Sequence, residues 1–178
     1  MNDGHGGGEA VPLNIAVLTV SDSRTLENDR SGGLLAERLR GAGHRLATRR
    51  LLPDDLYAVR AAVAAWIADP TVDVVLTTGG TGFSARDVTP QAVAPLLDLV
   101  VEGFGELFRS LSREEIGSST LQSRALAGLA NRTLVCCLPG SPGACALAWD
   151  GILAAQLDAR NRPCNFVNVL RGDPGASK

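Results

Sequence analysis

Gly79, Gly80 and Gly82 stand between a β-branched apolar run and the carboxylate of Asp87, within DVVLTTGGTGFSARDVTP at 73–90. Glycine lets main-chain N–H groups approach an anion closely, and a carboxylate beside such a turn can hold a metal ion. Thr78 and Thr81 add hydroxyls, and Thr89-Pro90 opens a helix whose first N–H groups carry partial positive charge. The chemistry this suits is phosphoryl or nucleotidyl transfer. No Gly-Lys-Ser/Thr follows, so the turn is not a P-loop, and the spacing of a dinucleotide-binding fingerprint is missing. The plainer reading is a structural crossover.

Other polar groups fall at comparable places. Ser21 and Asp22 end the apolar run at 15–20, and Pro139, Gly140 and Ser141 end the run at 133–138. Asp54 follows Pro53, where it serves either as a helix cap or in catalysis. Asp87 has Arg86 as its neighbour and could be half of a plain surface ion pair. The turn at 139–143 either links strand to helix or contributes to a second ligand contact. Ser123 and Arg124 fall within a stretch read as helix, where arginine either is a solvated side chain or reaches a ligand.

Composition narrows the classes of function. The chain has 178 residues and a formal net charge of -2, which suits one domain and offers no basic patch for nucleic acid. No apolar run reaches the length of a membrane span, and 1–13 lacks the features of a leader, so a cytoplasmic protein is expected. The four cysteines form no CxxC pair and read as buried thiols. With two histidines, one in a glycine-rich segment, neither a Ser-His-Asp triad nor a histidine zinc site is readily assembled. Carboxylates, arginines, hydroxyls and the main chain must do the work.

The elements that would position these groups alternate. Strands are expected at 15–20, 44–52, 74–78 and 133–138. Helices are expected at 32–40, after Asp55, from Pro90 to near Pro95, at 118–130 and at 144–159. Such alternation gives an α/β fold, a three-layer domain whose largely parallel sheet is covered by helices on both faces. One domain at 14–170 is expected, with disordered tails at 1–13 and 171–178. Ligands of such sheets lie beyond the carboxyl ends of the strands, where the polar turns converge.

These residues carry a resemblance. TTGGTGFSARDVTP at 77–90, LTVSDSR at 18–24, LPDD at 52–55, EGFGELFR at 102–109, SRALAG at 123–128 and LPGSPGAC at 138–145 resemble the molybdopterin-binding family of molybdenum-cofactor biosynthesis. The likeness runs over 15–167, and EIGSSTLQSRALAGLAN with QLDARNRPCNF is most similar to its MoaB-type members. The resemblance implies a homo-oligomer, trimer or hexamer, that binds molybdopterin and transfers AMP from Mg-ATP to its terminal phosphate. By position, Asp54 and Asp87 would be catalytic and hold Mg²⁺. Thr78, Gly79, Gly80, Thr81, Gly82, Pro139, Gly140 and Ser141 would hold nucleotide phosphates and pterin, with Ser21 and Asp22 at the wall. A non-catalytic pterin-binding accessory or carrier of the same pathway is the alternative.

Overall fold

Six strands, β1 (Asn14–Val20), β2 (Arg45–Leu52), β3 (Val74–Thr78), β4 (Leu99–Val100), β5 (Leu126–Ala130) and β6 (Thr133–Leu138), form one sheet in the order β2-β1-β3-β6-β5-β4. This computed structural model describes residues 9–172. The strands β2, β1, β3 and β6 are mutually parallel, as the alternation of elements requires. The order reverses beside β1: the chain steps outward to β2 and then returns past β1 to β3. The four parallel strands therefore deliver their carboxyl ends to one edge.

Both faces of the sheet are covered. Ile15, Val17, Val74, Leu76 and Leu134 point into the layer that holds Leu35, Phe108 and Trp149. Ala16, Leu18, Val75 and Val135 point into the other, with Val59, Val63 and Trp66. The neighbouring Cys136 and Cys137 divide between the two layers, and Cys145 is also buried. Burial pushes the Cys137 thiol up to about 12, so it stays protonated and unreactive. Cys164, expected to be buried, is exposed.

Helix starts follow local capping. Helix α1 (Arg30–Gly41) begins where the Asp29 carboxylate accepts from Gly32 N–H at 2.9 Å. At α2 (Leu56–Ala68) the cap is Asp55, which accepts from Ala58 N–H at 2.7 Å. Each such cap contributes about 1 kcal/mol. Helix α3 (Thr89–Val93) stops before Pro95 and continues as the 3-10 turn Ala94–Leu96. Next come α4 (Glu102–Ile116) and, further on, α5 (Pro142–Ala148), the π-helical turn Trp149–Leu153 and α6 (Ala154–Gln156). The helix α7 (Phe166–Arg171) is capped by Asn165.

The structure corrects one expectation here. No helix spans 118–130: Gly117–Gln122 is a 3-10 segment, and β5 pairs antiparallel with both β4 and β6. Asn131 and Arg132 adopt left-handed φ values of 46° and 65°, a two-residue turn that returns β5 into β6. Residues 1–8 and 173–178 lie outside the described residues, but Leu13 is wholly buried and Arg171 pairs with Asp73 at 3.2 Å. No helix among the described residues is long and apolar enough to cross a membrane.

His44 ties the start of β1 to the end of α1. Its Nδ1 accepts from Leu13 N–H at 3.2 Å, and its ring lies edge-on to Trp149. Burial pushes its pKa down, against the charges of Asp158 and Asp73. The folded state thus refuses a proton that the unfolded chain accepts, and stability is lost as pH falls below about 6.5. Asparagine at this position presents an acceptor near the place of Nδ1 but takes up no proton. Urea denaturation should show His44→Asn less stable than the parent at neutral pH, yet losing less stability from about pH 7 to about pH 5. An equal loss in both proteins would contradict this role.

Candidate functional site

A cleft of about 570 Å³ opens at the carboxyl edge of the sheet. Its wall holds Ser21 and Asp22 after β1, Asp54 after β2, and Thr78, Gly79, Gly80, Thr81, Gly82 and Asp87 along and after β3. Pro139, Gly140 and Ser141 line it after β6. Every residue singled out as a candidate in the sequence therefore borders one cavity, at the edge that strand order favours for ligands.

The glycine turn is shaped by contacts that exclude side chains. Gly79 has φ +103°, and a Cβ placed there would lie 2.2 Å from the Val20 carbonyl oxygen. Gly140 passes the same main chain so closely that its Cβ would stand 3.2 Å from the Gly79 Cα. Gly79 N–H donates to Leu138 O at 3.0 Å, and the Thr89 hydroxyl donates to Gly79 O at 2.8 Å. Thr89 N–H donates to Gly80 O at 3.0 Å, so Thr89 braces the turn from below and its hydroxyl does not cap α3. The Thr78 hydroxyl donates to Pro139 O at 2.9 Å and joins the two turns.

Asp54 does not cap α2, because Asp55 does. It forms a reciprocal pair with Asp22: Asp22 N–H donates to Asp54 Oδ2 at 3.1 Å, and Asp54 N–H donates to Asp22 Oδ1 at 3.0 Å. The alternative of an Arg86–Asp87 surface pair is not realised, since Arg86 Nε donates to Asp22 Oδ2 at 2.8 Å. The Asp54 N–H and the Arg86 guanidinium hold Asp22 below the usual carboxylate range against its desolvation. Asp54 is raised, first by burial and then by the negative charge of Asp22. Burial also acts to raise Asp87, but hydrogen bonds from Ser84 and Gly82 and the charge of Arg124 outweigh it and leave Asp87 lowered.

Donor chemistry tests the fit for a metal. Asp54 and Asp87 each use one carboxylate oxygen, Oδ2, to accept from main-chain N–H groups. Among the described residues neither Oδ1 accepts a hydrogen bond. Two such oxygens suit Mg²⁺, which takes one or two carboxylates and completes its shell with phosphates and water. No group of three or more His, Cys, Asp or Glu among the described residues forms a ready metal cage.

The cleft also contains groups the sequence reading passed over. Arg24 Nη1 donates to the Ser31 hydroxyl at 3.2 Å, which donates to Gly140 O at 2.7 Å. Its signal was visible, since Arg24 continues the polar run from Ser21. The opposite wall, with Phe108, Ser112, Ile116, Ser119, Gln122 and Ser123, comes from α4 and the 3-10 segment. No local pattern placed those residues there. The Ser141 hydroxyl accepts from Ala144 N–H at 3.1 Å and so caps α5 while bordering the cleft.

A family profile described as a probable molybdopterin binding domain matches residues 16–159. The molybdenum cofactor biosynthesis protein B of Escherichia coli strain K12 is 55% identical over 163 residues, 92% of this chain and 96% of that protein. A crystal structure of a molybdenum cofactor biosynthesis protein B superposes with a TM-score of 0.81 at 44% identity, covering 84% of this chain and 94% of that one. The tungsten cofactor synthesizing protein MoaB from Pyrococcus furiosus superposes at 0.73 with 32% identity, covering 94% of this chain and 98% of its own.

Close approach at Gly79 predicts a sharp asymmetry between glycines. Gly79→Ala should destabilise the protein by at least about 2 kcal/mol, from the left-handed conformation and the collision with Val20. Gly143→Ala, within α5 and with nothing within 4 Å of the added Cβ, should be neutral or stabilising. Urea midpoints measure both, and equal midpoints for the two variants would contradict the packing described.

Proposed function

The chain belongs to the molybdopterin-binding domain family and has a role in molybdenum-cofactor biosynthesis, and from that premise we propose that it binds molybdopterin and transfers AMP from Mg-ATP to its terminal phosphate. The observation that carries the reading is the convergence of Asp54 and Asp87 on one cleft with the two glycine turns. An oxygen of the molybdopterin phosphate attacks the α-phosphorus of ATP. The bond from that phosphorus to the bridging oxygen breaks, and pyrophosphate leaves with the electron pair.

Phosphoryl chemistry of this type asks for alignment and charge neutralisation more than for a protein nucleophile. The phosphate is already anionic, so no side chain has to remove a proton, which agrees with the scarcity of histidine in the chain. The N–H groups of Gly80 and Thr81, which donate no hydrogen bond within the described chain, supply donors for phosphate oxygens. Arg24 and Arg86 add positive charge at the wall. Three carboxylates line the same space, Asp22, Asp54 and Asp87, and a bare triphosphate would be repelled by them.

Asp54 and Asp87 would hold Mg²⁺ through their free oxygens. Bound there with the nucleotide, Mg²⁺ supplies positive charge that offsets the phosphates and favours the ionised form of Asp54. Asp22 keeps Asp54 in place through the reciprocal main-chain bonds. Self-association into a trimer or hexamer is supported by exposed apolar residues on the sheet edge, Leu99 and Val100, and by Leu107 and Leu121 nearby in the chain.

Asp87→Asn and Asp54→Ala should each lower AMP transfer by 100-fold or more, on the order of 3 kcal/mol in the barrier, while molybdopterin binding survives. EDTA should abolish turnover and added Mg²⁺ restore it. Chromatography of AMP-molybdopterin and pyrophosphate measures the first effect, and quenching of pterin fluorescence the binding. Wild-type turnover by either variant would overturn the assignment of its aspartate.

A further inference from the structure

Arg124 is not in a helix: it lies between the 3-10 segment and β5 and turns its side chain under the glycine loop. Its own N–H donates to Thr81 O at 3.1 Å. Its Nε donates to Gly82 O at 2.8 Å, and its Nη2 donates to Asp87 O at 2.8 Å. The guanidinium also stacks against the Phe83 ring, 5.1 Å from the centroid. One planar fork thus holds main-chain carbonyls at both ends of the loop 81–87.

Within that loop, Ser84 N–H donates to Asp87 Oδ2 at 2.9 Å and Asp87 N–H donates to Ser84 O at 3.1 Å. These bonds fix the carboxylate relative to Ser84, but they do not fix the loop relative to the sheet. Arg86 ties the middle of the loop to Asp22 after β1, and Arg124 ties its two ends to the segment that leads into β5. The segment carrying Arg124 is anchored in turn, because Arg109 on α4 donates through Nη1 to Ala125 O at 3.2 Å. Two arginine side chains, each donating to main-chain carbonyls, therefore lead from α4 to the loop that carries Asp87.

We infer that Arg124 is a positioning residue for AMP transfer: it sets the placement of Asp87 through the carbonyls of Gly82 and Asp87 and does not itself touch substrate. This rests on the reading that Asp87 serves the transfer. Lysine cannot replace the fork, since an ammonium lacks the planar pair of donors that spans two carbonyls.

The test uses the full chain with Arg124→Ala and Arg124→Lys, and it reads amide exchange, melting midpoint and AMP transfer. In both variants, exchange should rise across 82–88 while β1 and α2 keep their protection. The melting midpoint should fall by no more than about 4 °C. Turnover should drop about 100-fold, the scale expected when a reacting group is misplaced by a remote change. Millimolar methylguanidinium should restore part of the turnover to Arg124→Ala and none to Arg124→Lys. Unchanged exchange across 82–88, turnover equal to the parent, or no response to methylguanidinium would each overturn the inference. Should Arg124→Ala fail to fold, exchange and turnover of Arg124→Lys decide in the same way. Should the parent protein make no AMP-molybdopterin, the proposed function fails on its own, and the exchange result still decides whether Arg124 holds the loop.

Discussion

Close contact of main chain with main chain at the ends of β1, β3 and β6 is the constraint on which the cleft depends. Val20, Gly79 and Gly140 come together, with no room for a side chain at Gly79 and a tight fit for one at Gly140. Because the three ends touch, the polar residues that follow them are forced outward around a common space. Hydrogen bonds from Thr78 and Thr89 then lock the two turns to each other and to the start of α3. Packing at this point links the parallel sheet to the chemistry at its edge.

Electrostatics within the cleft follows from that crowding. Asp22 and Asp54 stand at adjacent strand ends, and each accepts the other's main-chain N–H. Arg86 compensates Asp22, which leaves Asp54 as the carboxylate that gains most from an incoming cation. Asp87 is ionised by its own loop and by Arg124. Two carboxylates of different character, Asp87 held below its ordinary pKa and Asp54 pushed above it, flank the donors suited to phosphate.

Much of this could be read from the residues alone. The apolar runs at 15–20, 74–78 and 133–138 are buried on both faces and needed no tertiary information. The glycine turn announced itself because few backbones other than a strained one require three glycines so close together. The choice between capping and catalysis at Asp54 could not be made locally, since Asp54 and Asp55 are both competent caps. The stretch 118–130 misled for a physical reason: Leu121, Ala125 and Leu129 repeat at helical spacing, but pairing with β6 outweighs so weak a local preference. Losing that strand also lost Arg124, whose role depends on leaving the helix, and the far wall of the cleft from α4 stayed hidden because its residues meet the turns only through the fold.

The proposed reaction moves AMP from ATP onto the terminal phosphate of molybdopterin. Its most direct test is incubation of the purified protein with molybdopterin, Mg²⁺ and ATP labelled at the α-phosphorus. Transfer of AMP puts label into the pterin in equal amount to the pyrophosphate released. Bound pterin with all of the label remaining in ATP would contradict it and make the protein a carrier.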